Sequence, residues 1–264
     1  MKTIGIISAN YTSGDFGELI ENRTLASIPF GGRYRLIDFA LSNMVNSAIS
    51  TVCVVAPYNS ASLIDHIGVG KPWSLDRKTG GLFVIPGSLF GVSATGNRFL
   101  MRDFAANKQF LLKDDADYVI VSGSSDVWNI DYRPLIKKHN NSSNPITLVT
   151  KKVEEAEEHR GFFITKDEDG QVINISNRAE GNADYFIDCF IADRKFLLDF
   201  MNWFANLDYL DVMDIIANNL DKFNVGTYEF YGYIGKISKL TDYYNVSMEL
   251  LDKTVMNELF GTDR

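Results

Sequence analysis

Two cysteines, three histidines and six prolines are all that this 264-residue chain contains of those types. Cys53 and Cys189 each sit inside an apolar run, which predicts core thiols and argues against a disulfide framework. His66, His139 and His159 are scattered and lack metal-ligand spacing. Positive charge is also short: 26 Lys and Arg stand against 34 Asp and Glu, a net charge of −8. A general affinity for a phosphate backbone needs clustered cations, so nucleic acid is excluded as a class of partner. No apolar run approaches the roughly 20 residues of a membrane span, and Ile4-Gly5-Ile6-Ile7 is too short for a signal peptide. The expectation is a cytoplasmic protein with no membrane partner.

Apolar residues make up 45% of the chain, enough for a sizeable core. Continuous apolar runs at 3–8, 51–56, 82–85, 118–121 and 146–150 read as buried strands. Between them, 34–46, 61–67, 98–113 and 132–139 show helical spacing. Buried strands alternating with amphipathic helices predict an α/β fold: a mixed, mostly parallel sheet with helices on both faces. Ligands in such sheets bind at the carboxyl ends of the strands, here after Ile7, Ala56, Ile85 and Val121. Beyond Lys152 the pattern changes. Asp169-Gly170 between two apolar runs signals a hairpin; a strand at 186–192, helices at 194–205 and 210–220, a strand at 225–231 and a helix at 240–251 follow. One mixed domain without a linker is expected, closing on a polar end from Glu258 to Arg264.

The first strand-to-helix loop is poor in what a triphosphate needs, namely glycine backbone and a cation. Residues 10–22 hold two glycines, three carboxylates (Asp15, Glu18 and Glu21) and no Lys or Arg. A carboxylate ~4 Å from a phosphate charge costs on the order of 4 kcal/mol at an effective dielectric of 20. The segment reads as an acidic solvated loop or as a contact with a partner subunit. After it comes Pro29-Phe30-Gly31-Gly32-Arg33-Tyr34-Arg35-Leu36-Ile37-Asp38-Phe39-Ala40-Leu41-Ser42-Asn43. The glycines supply a turn and the apolar positions a buried helix face. Arg33 and Arg35 suit bidentate phosphate recognition, and equally suit a plain surface role.

With its order of motifs, the chain from Ile4 to about Asn257 resembles the ADP-glucose pyrophosphorylase (glucose-1-phosphate adenylyltransferase) family, in particular its GlgD-type regulatory subunit. The resemblance implies a Rossmann-like nucleotide-diphospho-sugar transferase fold over residues 1–257, with 258–264 starting a linker to a C-terminal β-helix domain. It also implies departures. Active members carry Gly-Gly-x-Gly-x-Arg-Leu in the first loop, where this chain has Asn10, Tyr11, Ser13 and, for the arginine, Asp15. The family's Arg-Ala-Lys-Pro is Arg23-Thr24-Leu25-Ala26, so Leu25 replaces the lysine; its Gly-Thr-Ala-Asp becomes Gly96-Asn97-Arg98-Phe99. Its Gly-Asp-His, whose aspartate helps hold Mg²⁺, becomes Gly123-Ser124-Ser125. Its second metal carboxylate falls on Lys236.

Arg23, Arg35 and Arg178 match family positions for the anionic effector (the first two) or the sugar phosphate (Arg178). The resemblance therefore implies a regulatory subunit, catalytically weak or inactive, that binds no cofactor itself although active homologues use Mg²⁺. Its expected partner is a catalytic subunit, and its expected ligand a sugar-phosphate effector. Two alternatives stay open at this point: an active enzyme with a rearranged site using Asp126 and Arg178, and a stand-alone sugar-phosphate sensor.

Overall fold

The computed structural model describes residues 1–9, 16–57, 59–87, 99–156, 159–207 and 209–261. In chain order the strands are β1 (Thr3–Ser8), β2 (Pro29–Phe30), β3 (Tyr34–Arg35), β4 (Thr51–Ala56), β5 (Gly81–Pro86), β6 (Tyr118–Gly123), β7 (Val127–Trp128), β8 (Ile146–Val153), β9 (Phe163–Lys166), β10 (Val172–Ser176), β11 (Ala183–Asp193), β12 (Val225–Glu229) and β13 (Ile234–Gly235). The helices are α1 (Leu36–Asn46), α2 (Ala61–Ile67), α3 (Met101–Ala106), α4 (Lys108–Lys113), α5 (Tyr132–Asn140), α6 (Arg194–Trp203), α7 (Val212–Ala217), α8 (Leu240–Glu249) and α9 (Lys253–Phe260). The fold is mixed α/β. It divides into two compact units, one from Ile4–Asn97, Ser122–Tyr132 and Gly232–Arg264, the other from Met1–Thr3, Arg98–Val121 and Arg133–Tyr231. Each unit is assembled from three segments, which is why no linker shows in the sequence.

In the unit containing Ile4, β1, β4 and β5 run parallel, with Gly5 opposite Val52 and Thr51 opposite Gly81. All six residues of β4 are buried, as its unbroken apolar run predicts. Cys53 lies there as a free thiol, and burial raises its pKa. A cluster of Leu25, Ile28, Phe30, Leu36, Phe39 and Leu259 forms the core below α1. Helix α1 starts two residues later than its apolar spacing predicts. Tyr34 and Arg35 instead pair with Phe30 and Pro29 around Gly31 and Gly32, whose φ values of 57° and 84° favour glycine. The predicted polar end is also corrected. Residues 258–260 belong to α9, where Leu259 is buried and Phe260 stacks on Tyr34 at 5.2 Å.

In the other unit, β8 pairs with β11 antiparallel and with β12 parallel, and β9–β10 form the predicted hairpin. The single helix predicted over 98–113 is two helices, α3 and α4, broken at Asn107. The Asn107 amide donates to the Asp103 carbonyl at 2.9 Å, a side-chain bond that competes with helix propagation. Helix α7 is shorter than predicted for a similar reason. Asp211 caps its start, and the Asn218 and Asn219 amides fold back on the Asp214 and Ile215 carbonyls at its end. Among the described residues no helix is long and apolar enough to cross a membrane.

Candidate functional site

Arg35 is the last residue before α1, and its neighbours explain its pose. Its backbone N–H donates to Asp38 Oδ2 at 3.0 Å, closing the first turn with a carboxylate where the helix dipole favours one. Its guanidinium Nη1 donates to the Ser62 carbonyl and to Ser62 Oγ, both at 2.7 Å, tying α1 to α2. The other Asp38 oxygen lies 2.5 Å from His66 Nε2. His66 meets Trp73 edge-on at 6.2 Å, and Trp73 Nε1 donates to Ser42 Oγ at 3.2 Å. Arg23 is half-buried. It precedes a buried 3₁₀ turn, Leu25–Ser27, that packs on both α1 and α2. Both predicted effector arginines thus flank one junction, but one is engaged by the protein while the other has no partner among the described residues. Arg33 lies over the Tyr34 ring at 5.1 Å.

The strand-end loop after β6 is folded inward. Ser124 is buried, and its Oγ donates to the Ser8 carbonyl at 2.8 Å. Asp126, the residue that a rearranged active site would use, is only 5% exposed. The cause is the ribbon beside it: β7 pairs with β13, Trp128 opposite Ile234 and Val127 opposite Gly235, which draws the preceding turn under. Continuing that register by one residue sets Lys236 across from Asp126. The two positions that the resemblance gives as metal carboxylates, Ser124 and Lys236, lie three residues before β7 and one residue after β13, the two strands of that ribbon. These residues do not fit a divalent cation. An ammonium has only donors, and the serine oxygen is turned to a carbonyl. Among the described residues no group of three His, Cys, Asp or Glu could hold a metal ion.

The remaining predicted positions are structural or apart. Leu25 is 1% exposed in the core. Phe99 is buried edge-on against Phe190 at 5.6 Å, and its N–H donates to Asp211 Oδ2 at 2.8 Å. Arg178 belongs to the other unit and is exposed; its backbone closes a small turn with Ser176 Oγ. Asp15 lies outside the described residues, whereas Glu18 and Glu21 of the same loop are exposed. Trp203 and Tyr209 are exposed, whereas Phe204 is buried. Sequence reasoning missed His66, Ser62 and Trp73, because His66 meets Asp38 across 28 residues and no spacing motif reports that.

A model of the family described as Nucleotidyl transferase matches residues 21–185. The chain belongs to that family. Among curated relatives, the nucleotidyl transferase chain is 28% identical over 260 residues to the glycogen biosynthesis protein GlgD of Bacillus subtilis, covering 98% of this chain and 66% of that one. It is 31% identical over 242 residues to the glucose-1-phosphate adenylyltransferase of Clostridium novyi, covering 89% and 63%. The chain thus spans just under two thirds of the length of these relatives. Among solved structures, a putative glucose-1-phosphate thymidylyltransferase from Bacillus anthracis superposes with a TM-score of 0.75 at 14% identity, over 95% of this chain and 96% of that one. At that identity the likeness speaks for the fold alone, and it agrees with the Rossmann-like nucleotidyltransferase fold expected from the motifs.

Proposed function

We propose that this nucleotidyl transferase domain is the GlgD-type subunit of a glucose-1-phosphate adenylyltransferase in glycogen biosynthesis, and that it regulates rather than catalyses. The observation that carries this reading is Lys236 set across from Asp126, with the Ser124 hydroxyl committed to the Ser8 carbonyl. Adenylyl transfer rests on positioning and on charge neutralisation around the phosphates. A lysine at this position and a serine hydroxyl already bonded to the chain offer no carboxylate ligand to a metal–nucleotide complex. Leu25 and Phe99, both core residues, supply no phosphate contact either.

In this reading the partner is a catalytic homologue, and a sugar phosphate or similar anion binds at the α1–α2 junction, held by Arg23 and the unused part of the Arg35 guanidinium. Coupling between such a site and a neighbouring subunit is typically about 1–3 kcal/mol. The test is to purify the full-length protein with and without its catalytic homologue and to titrate sugar phosphates while measuring ADP-glucose formation. Co-purification with a shifted effector response supports the reading. Failure to associate, with retained sugar-phosphate binding, favours the stand-alone sensor. Arg178 and Asp126 would carry the rearranged-enzyme alternative; Arg178 is exposed and Asp126 buried opposite Lys236, which does not favour it.

A further inference from the structure

Helix α1 is buried along most of its surface, yet three polar residues repeat along it at four-residue spacing: Asp38, Ser42 and Asn46. Residues four apart lie on one helical face, so these three form a stripe. The stripe borders a cleft of about 180 Å³. The opposite wall is aromatic, from Tyr34 and Phe260, and Asn129 lies at the rim. Trp128 of β7 also lines the cleft.

The chemistry of this cleft is selective. Among the described residues Asp38 is the only charged one that lines it, so a phosphate or carboxylate ligand would meet a like charge there. Both Asp38 oxygens are already bonded, to Arg35 N–H and to His66, which fixes the carboxylate and the stripe with it. The groups left to a ligand are neutral. Asn46 is exposed and has no side-chain partner among the described residues. Asn129 Nδ2 is bonded to the Glu258 carbonyl, which leaves its Oδ1 as an acceptor. Ser42 Oγ accepts from Trp73 and keeps its own proton to donate. Amide and hydroxyl groups facing aromatic rings match a molecule with hydroxyls on its edge and C–H groups on its face. The volume is below the roughly 300–1,000 Å³ typical of drug-sized pockets, which limits the occupant to about one ring.

We propose that this cleft binds an uncharged, hydroxyl-bearing ring of monosaccharide size, its C–H face against the aromatic wall at Phe260 and its hydroxyls on Ser42, Asn46 and Asn129. The proposal does not rest on the regulatory reading above, since it needs neither a partner subunit nor the arginine pair. The ring is either a free monosaccharide or the end unit of a glycan. The test is a protein-detected NMR titration of the chain with glucose, maltotriose and glucose-1-phosphate, repeated on Asn46→Leu. Asn46 is exposed, so this variant keeps the fold.

The expected result is saturable shifts of α1 and α9 resonances with glucose or maltotriose, weakened roughly tenfold in Asn46→Leu by the loss of one or two hydrogen bonds. Tighter binding of maltotriose identifies a glycan end, and equal binding a free monosaccharide. The proposal is overturned if neither neutral sugar saturates, if glucose-1-phosphate binds this cleft better than glucose, or if Asn46→Leu leaves the affinity unchanged.

Discussion

Gly235 pairs with Val127 at the end of the β7–β13 ribbon, and extending that register by one residue places Lys236 opposite Asp126. Opposite charges placed across a strand pair stabilise it, and like charges destabilise it. Lys236→Asp is therefore expected to lower stability by about 1 kcal/mol or more and to restore no adenylyl transfer by itself. A urea melt with and without Mg²⁺ checks both halves. A variant that Mg²⁺ restabilises, or that gains turnover, means the ribbon can accept a metal ion after all.

The two arginines of the proposed effector site should separate in a stability measurement. Arg35→Ala removes two hydrogen bonds to Ser62 and should cost about 1–3 kcal/mol. Arg23→Ala should stay within about 0.5 kcal/mol, as for a surface substitution. In the proposed full-length hetero-oligomer, Arg23→Ala should still blunt the response to sugar phosphates while assembly persists. An unchanged effector curve reduces Arg23 to surface charge.

Gly235 is held by space. A Cβ there would sit 2.4 Å from Val246 Cγ1 and 2.8 Å from the Tyr233 hydroxyl. Gly235→Ala should cost about 1–3 kcal/mol by overpacking, read from the midpoint of denaturant unfolding. A neutral result would show that α8 can move off the ribbon without loss.

His139 makes stability depend on pH. It is 2% exposed, with Nδ1 2.8 Å from Thr147 Oγ1 and Nε2 3.4 Å from Asp193. Burial holds its pKa below the ordinary histidine value, and Asp193 opposes this only in part. The unfolded chain then binds a proton more readily than the folded one. The contribution of His139 is complete above about pH 6.5 and is lost as the pH falls below it. Melting temperature should drop from neutral to mildly acid pH, and His139→Gln should flatten that slope. An unchanged slope assigns the acid sensitivity to other groups.

Strands made of unbroken apolar runs, such as β1 and β4, were legible in the sequence because burial on both faces leaves no ambiguity of pattern. Boundaries were less so. Asn107 breaks a helical pattern through a side-chain bond that periodicity does not report, and Tyr34 and Arg35 leave the helix because Gly31-Gly32 turns the chain into a hairpin. Helix α9 went unread because Asn257 and Glu258 mask the burial of Leu259. At the site, the identities of Ser124 and Lys236 were legible, whereas the pairing of β7 with β13 next to them depends on tertiary register. The Asp38–His66 contact and the buried position of Asp126 depend on tertiary packing, which no local spacing encodes.

The most direct test of the central reading is ADP-glucose synthesis by the purified chain alone, with ATP, glucose-1-phosphate and Mg²⁺, beside an active glucose-1-phosphate adenylyltransferase under the same conditions. With Lys236 facing Asp126 and Ser124 turned to a carbonyl, the expected turnover is at or near background across the whole range of Mg²⁺. Turnover comparable to the active enzyme, rising with Mg²⁺, would contradict the account.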